Sequence, residues 1–542
     1  LSRAQNSPQP DAATLAKYDK NKNGVLEVDE LAAQEADRPR PALVSAADLP
    51  AVKPADEIVT LSPFEVVSDN KGYYAANTMS GTRFNSKLED LAASITVVTK
   101  EQMQDFAMLD INDVFLYTAS TEGTGTYTDF SVDRNGSVSD NVQLDPARAN
   151  RVRGIAAANT SLGNVETMGR TPVDPLGIDG IEVSRGPNAN VFGLGDPSGT
   201  VNMIPSSGNL SRDRSQVQFR ADSYDGYRSS LDLNRVLIPG KLAIRGSTAF
   251  QHDGFVRKPS GVDTERYNGM IKFQPFRNTT ISGSVSYYHQ YGNRPNFTPP
   301  RDSISYWVQS GRPTWDPVTS QVHLNGVTVG TYTNATGLPD YFNNSFTGSG
   351  HNFLFIDQNG VGYWTTPSTF SNTAPLAGAT TAGPTSGGQS DRFMAPSSAS
   401  GVTLGRFANQ PLFTTTPTIS SKALYDWTDV NLAAVNRAWD RNITANFQLD
   451  QIFLRTDRQT VAAQVSAMRE DSMRYQRNYI GIANDNGQSG QLMVDVNERL
   501  LDSTPNPYFL RTYIGQDQPR TTYQPAKWDT YRAQLAYKLD LT

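Results

Sequence analysis

Between residues 19 and 30 the chain reads DKNKNGVLEVDE, a run in which side-chain oxygens recur at every second position. Asp19, Asn21 and Asn23 alternate, Gly24 permits a sharp turn, and Val25 offers its carbonyl. Glu27 reaches an ion through water, and Glu30 closes the loop with a two-oxygen carboxylate. Ligands that are all oxygen suit a hard cation, and this order of donors predicts calcium. The flanks DAATLAKY and ELAAQEAD read as short helices, so the loop has the layout of an EF-hand. No second loop pairs with it, which predicts a weak structural site in the ~0.1–1 mM class of extracellular modules.

A second stretch, IEVSRGPNANVFGLGDPSGTVNMIP at 181–205, invites a phosphate-loop reading. The spacing rejects it. A dinucleotide loop needs G-x-G-x-x-G opening a helix, and a P-loop needs Lys-Ser/Thr after its last glycine. Here Gly195 leads into Asp-Pro-Ser-Gly, and the β-branched TVNMI stops at Pro205 without a helix start to hold a phosphate. The four histidines, His252, His289, His323 and His351, form no ligand pair, and no acid–base constellation can be assembled, so no enzyme is expected.

The elements that carry these residues are β-rich. Of 542 residues, 19% are charged and 46 are Tyr or Phe, with a net charge of -6 that offers nothing to nucleic acid. The absence of cysteine excludes disulfides and thiolate metal sites. No run of ~18 apolar residues predicts a spanning helix, a test blind to strands that alternate. Residues 1–37 form the calcium module, and 38–56, with Pro39, Pro41, Pro50 and Pro54, a semi-rigid linker. The segment 57–69 is extended and apolar; Ile58, Val59, Thr60 and Leu61 can add as a strand to another protein's sheet edge or begin the next domain. Residues 70–210 read as compact α+β: a strand at 94–99, a helix from Lys100, a helical turn from Asp110, and a short strand at 151–155.

From residue 211 to 542 period-2 alternation recurs, in QVQFRAD, YRSSLDLNRVL, KLAIRGSTAFQ, RYNGMIKFQPF, TISGSVSYYHQY, RNITANFQLDQIFL, QTVAAQVSAMRE and TYRAQLAYKLDL. Strands near ten residues, with long and short connections in turn, are the pattern of an antiparallel membrane barrel, although a soluble sandwich alternates too. The long stretch 291–440 holds at least one hairpin, VHLNGVTVG, and its aromatics Tyr306, Trp307, Trp315 and Trp364 suit either sugar or chelate stacking or, preferably, an interface belt.

The segment 57–66, with 88–120, Val152-Arg153-Gly154-Ile155 and the 181–205 motif, resembles the TonB box and plug domain of TonB-dependent outer-membrane receptors. That family's motif runs hydrophobic-Glu-x-x-Arg-Gly-Pro, an aromatic-Gly pair, then Gly-Gly-x-x-Asn. This chain has Glu182, Arg185-Gly186-Pro187, Phe192-Gly193 and Ser198-Gly199-Thr200-Val201-Asn202, departing at Ser198. The resemblance implies structural glycines for tight turns, a buried or ion-paired Arg185, and an α+β plug inside a transmembrane antiparallel β-barrel. It also implies partners: TonB with ExbB and ExbD, outer-membrane lipid, and a scarce small solute, most commonly an iron–siderophore complex, with glycan, peptide or cobalamin as alternatives. The solute would bind between the extracellular loops and the plug apices at 121–149 and 156–177, and the helical EF-hand-like module would sit in the periplasm. About eight strands fall short of the ~22 that a plug-holding lumen needs, so only about the N-terminal half of the barrel is expected. A secreted, calcium-stabilised β-rich binding protein is the rival reading, and it leaves 57–202 unexplained.

Overall fold

In a computed structural model the chain divides into two compact units, Leu1–Val59 and Thr60–Thr542. The structure describes Lys17 and, from 72 to 539, all residues except 83–84, 124–130, 133–137, 140–149, 188–196, 294–300, 303, 332–341, 344–351, 358–359, 366–394, 397–418, 420, 427, 432–433, 435, 457, 479–490, 501–502 and 516–519. The loop at 19–30 expected to bind calcium, the proline-bearing stretch expected as a linker, the segment 57–69 expected as a TonB box, and Gly193 therefore lie outside the described residues.

The second unit begins with short strands β1 (Asn77–Thr78) and β2 (Ser86–Lys87), which pair with each other. Strand β3 (Ile95–Thr99) is a β-branched run, and helix α1 (Lys100–Asp105) starts where the Thr99 hydroxyl accepts the Gln102 amide at 3.1 Å. Helix α2 (Ile111–Leu116) is set by a capping box: Asp110 accepts the amides of Asn112 and Asp113, and Asp113 accepts that of Asp110. There follow β4 (Thr121–Glu122), β5 (Arg151–Val152), β6 (Asn159–Leu162), β7 (Val165–Glu166), β8 (Ile178–Arg185) and β9 (Gly199–Pro205). The strand expected at 151–155 is only β5, because Arg153 and Gly154 take φ of 57° and 67° and turn the chain. The sheet order is β3-β8-β9-β6-β7, with β6 parallel to β9. Its hydrophobic face buries Val98, Ile181, Val183 and Val201 against Met103, Ile111, Val114 and Phe115 of the helical segment.

Eight long strands then form one antiparallel sheet: β10 (Arg214–Ala221), β11 (Tyr227–Ile238), β12 (Leu242–Asp253), β13 (Gly261–Phe276), β14 (Thr279–Asn293), β15 (Arg437–Arg455), β16 (Gln459–Asn478) and β17 (Arg520–Leu539). All eight follow the period-2 stretches of the sequence. They make an open sheet with β10 and β17 at its edges, not a closed barrel. The short connections after Ile238, Phe276 and Arg455 leave the strands at one end of the sheet, and the connections after Ala221, Asp253, Asn293 and Asn478 leave them at the other.

The two faces of this sheet are inverted relative to a soluble protein. Tyr531 and Leu535 are 79% and 73% exposed, whereas Asn442 and Glu470 are 1% and 2% exposed on the opposite face. Phe219, Tyr267, Ile271, Val285 and Phe447 join the exposed apolar face, and Arg228, Asp232, Thr264, Gln464, Ser472 and Arg474 the buried polar one. A sandwich buries its apolar face, so this pattern discriminates against the soluble rival and fits strands whose outer side meets lipid.

The described parts of the long connections carry further elements. A helix at Ser305–Gln309 and strands at Thr314–Asp316, Gln321–Leu324 and Val327–Thr331 precede Gln491–Val494 and Thr512–Gly515 of the later connection. Trp315 joins them, its amide donating to Val496 O at 2.9 Å and its carbonyl accepting from the Glu498 amide at 2.8 Å. Trp307 and Trp315 are buried, and Trp307 Nε1–H donates to Pro313 O at 2.8 Å. Both are core residues of this clasp, which corrects the expectation of a membrane belt or a stacking surface: their ring faces are already covered.

Candidate functional site

The centre of the five-stranded α+β part is a buried carboxyl group. Glu182 sits in the middle of β8, opposite Asn202 of β9, and has no exposure to solvent. Four donors converge on it. Thr78 Oγ1 and the Met79 amide donate to Oε1 at 2.7 and 3.0 Å, and Ser80 Oγ and Asn202 Nδ2 donate to Oε2 at 2.5 and 2.9 Å. A buried carboxyl group is tolerated only when its oxygens are so satisfied. Asn202 Oδ1 in turn accepts from Ser161 Oγ at 2.9 Å and the Asn164 amide at 2.8 Å. The segment leading in from the N-terminal side is thus fastened to the sheet's interior.

The turn residues surround this core. Gly199 has φ 146°, and a Cβ there would stand 2.4 Å from Ser184 O. Gly186 has φ 89° and lies against Arg153, while Pro187 is exposed. Arg185 differs from the buried or ion-paired role the resemblance implies. It is half-buried, and its guanidinium donates to neutral oxygens: Ala119 O at 2.7 Å, Thr96 Oγ1 at 2.9 Å and Ser94 Oγ at 3.4 Å. Among the described residues it ties β3 to the end of the helical segment through these neutral oxygens.

Charged groups hold the plug against the polar face of the large sheet. Asp174 is met bidentately by Arg228 of β11, at 2.9 Å for each contact, and Arg266 of β13 lies 3.1 Å away. Burial pushes the Asp174 carboxyl up, but the two guanidiniums outweigh it and hold its pKa below the usual aspartate range. Lys100 at the start of α1 lies 3.5 Å from Asp179 and 3.8 Å from Asp232, and Arg245 bridges the same two carboxylates. Burial pulls the Lys100 pKa below its ordinary value against the pull of Asp179. Next to Asp174 lies a cavity of ≈ 120 Å³, lined among others by Asp110, Asp113, Arg220, Asp222, His252 and Tyr288.

The segment 156–177, expected as a plug apex, makes these contacts with the strands of the large sheet. The Met168 amide donates to Glu470 at 2.8 Å, Arg170 Nη1 reaches Gln524 O at 2.9 Å, Arg532 donates to Asn164 O at 2.5 Å, and Arg266 to Pro172 O at 3.1 Å. Of the other apex, 121–149, only 121–123, 131–132 and 138–139 fall within the described residues. Thr78, Ser80 and Asp174 carried no signal in the sequence, since their partners lie 104, 102 and 54 residues away. Among the described residues no group of three or more His, Asp or Glu side chains is placed to hold a metal.

This plug geometry agrees with the comparisons to known proteins. Residues 87–200 match the family described as TonB-dependent Receptor Plug Domain. The chain is 26% identical over 296 residues to the ferripyoverdine receptor of Pseudomonas aeruginosa, a match that covers 49% of this chain and 33% of that protein. It is 28% identical over 167 residues to the metal-pseudopaline receptor CntO of the same species, covering 31% of this chain and 22% of that one. Both matches thus span a third or less of the relative's length. Among solved structures it is similar to the pyoverdine outer membrane receptor FpvA from P. aeruginosa PAO1 bound to pyoverdine, with a TM-score of 0.44 and 14% identity over 90% of this chain and 60% of that one. A TonB-dependent receptor plug domain is therefore present, and the similar curated proteins are receptors, not enzymes.

Proposed function

We propose that the chain acts in the outer membrane as a receptor for TonB-dependent uptake of a scarce solute, in the first place an iron–siderophore complex. The observation that carries this reading is a plug domain tied by ion pairs to the polar face of a sheet whose other face is apolar and exposed. Strands of that kind meet lipid on one side and a lumen on the other. The relatives named for ferripyoverdine and for metal-pseudopaline favour a ferric or metal chelate over glycan, peptide or cobalamin. Solute would enter from the end with the long connections, where the clasp around Trp315 is built. Ile58, Val59, Thr60 and Leu61 would then pair as a strand with TonB, energised through ExbB and ExbD, and tension would move the plug. The loop from Asp19 to Glu30 would hold one calcium ion on the periplasmic side, apart from the transport step.

Supplying cells that express the chain with radioactive iron as ferripyoverdine, ferrioxamine or ferric citrate tests the reading, with a labelled oligosaccharide as competitor class. Iron accumulation that requires TonB supports it. Accumulation of the oligosaccharide alone would keep the receptor and replace the cargo.

A further inference from the structure

The polar groups around Glu182 do not stop at the plug core. Thr78, Met79 and Ser80 donate to one carboxylate, the same carboxylate accepts from Asn202, and Asn202 accepts from Ser161 and from the Asn164 amide. The Asn164 carbonyl then accepts from Arg532 of β17 at 2.5 Å. One hydrogen-bonded path therefore runs from the strap at 78–80, through β8 and β9, to the wall of the large sheet. Every link has a fixed sense. All four partners of Glu182 are donors, and Asn202 is held with its amide toward Glu182 and its oxygen toward Asn164. Among the described residues, two other ties of the incoming segment are solvent-exposed, the Gly72 amide on Glu101 and Tyr73 Oη on Asp105, while the Thr99 hydroxyl donates to Gly72 O at 3.0 Å in a part-buried bond and Met79 packs against Ile452, Ala462 and Ala536 of the large sheet. Exposed ties of this kind contribute less than buried ones.

We propose that Glu182 and Asn202 are a polarity-matched relay that couples tension on the N-terminal strap to the segment 161–164 docked on the sheet wall. They are positioning residues, not contacts for cargo. The coupling to transport rests on the uptake function proposed above; the relay itself does not.

The sense of the bonds makes a specific prediction. In Glu182→Gln the Met79 amide still needs an acceptor, so the new amide nitrogen must face Ser80 and Asn202. Ser80 can rotate to accept. Asn202 must flip to accept, and its amide then faces the Asn164 N–H, donor against donor. Hydrogen exchange on the full chain in lipid should therefore show the Asn164 amide exchanging about tenfold faster, with Met79 little changed, since one lost buried hydrogen bond is worth about a decade. Asn202→Asp alone places two carboxylates together and should disrupt the same site. The double variant Glu182→Gln/Asn202→Asp restores donor to acceptor at each link and should recover the wild-type exchange of Asn164. If either single variant fails to fold, recovery of folding in the double variant is the same result. Unchanged Asn164 exchange in Glu182→Gln, or a double variant no better than the singles, overturns the relay. In cells given radioactive ferripyoverdine, Glu182→Gln should keep surface binding, lose about tenfold in energised accumulation, and regain it in the double variant. No accumulation in the wild type would overturn the cargo or the transport reading while leaving the exchange result standing.

Discussion

Asp174 is almost entirely removed from water, and its charge persists because Arg228 and Arg266 approach it from two strands of the large sheet. Removing one partner of such a buried set leaves uncompensated charge, which typically costs ~3–5 kcal/mol. Asp174→Asn should therefore loosen the plug by about that much, seen as earlier release in denaturant with the strand signal retained. The pH dependence has a definite sign. The folded pKa lies below the ~3.9 of an unfolded aspartate, so the contribution is complete above about pH 4 and is lost as pH falls through the folded value. Protease sensitivity of the plug should rise below pH 4 in the wild type, and Asp174→Asn should flatten that rise. Gly199 poses a steric counterpart: a Cβ at 2.4 Å from Ser184 O in a backbone with φ 146° makes Gly199→Ala destabilising by ~1–3 kcal/mol in plug melting. An unchanged melting temperature would mean that the turn relaxes.

At the scale of elements, the strands were readable because each shows its two faces in its own residues, and the alternation survives whichever face meets water. Helix starts at Thr99 and Asp110 were readable for a similar reason, since caps act over two or three residues. What the sequence hid was of two kinds. The turn at Arg153 and Gly154 looked like strand because a positive φ at arginine leaves no trace in composition. The strap on Glu182 and the pairing of Asp174 join positions 104 and 54 residues apart, and nothing local announces them. Trp307 and Trp315 show the same limit, because a tryptophan in a polar connection reads alike whether it is a core, a belt or a platform. The clasp gives an element-scale prediction. Trp315→Ala removes its main anchor and should make 301–331 and 491–515 sensitive to protease together, because backbone bonds at Val496 and Glu498 join them. Cleavage confined to one segment would show that they fold separately.

For the whole molecule, the inverted sheet and the plug seated on it are the features that any account must join. Leu535 lies on the exposed apolar face, and Leu535→Arg should cost ~2–4 kcal/mol of stability in a bilayer if that face meets the hydrocarbon near its midplane. In detergent-free buffer the same change would instead improve solubility if the face met water. The calcium site proposed at residues 19–30 lies in the part of the chain before Thr60. Glu30→Gln should abolish the calcium heat measured on the full chain and leave iron accumulation unchanged. In the proposed function, TonB moves this plug through Ile58, Val59, Thr60 and Leu61. The most direct measurement compares radioactive iron bound at the surface with iron accumulated, for ferripyoverdine, in the wild type and in Val59→Pro, with and without TonB. Proline removes a ladder N–H, so the predicted result is unchanged binding in all four cases and accumulation only in the wild type with TonB. Equal accumulation in Val59→Pro, or accumulation without TonB, would contradict it.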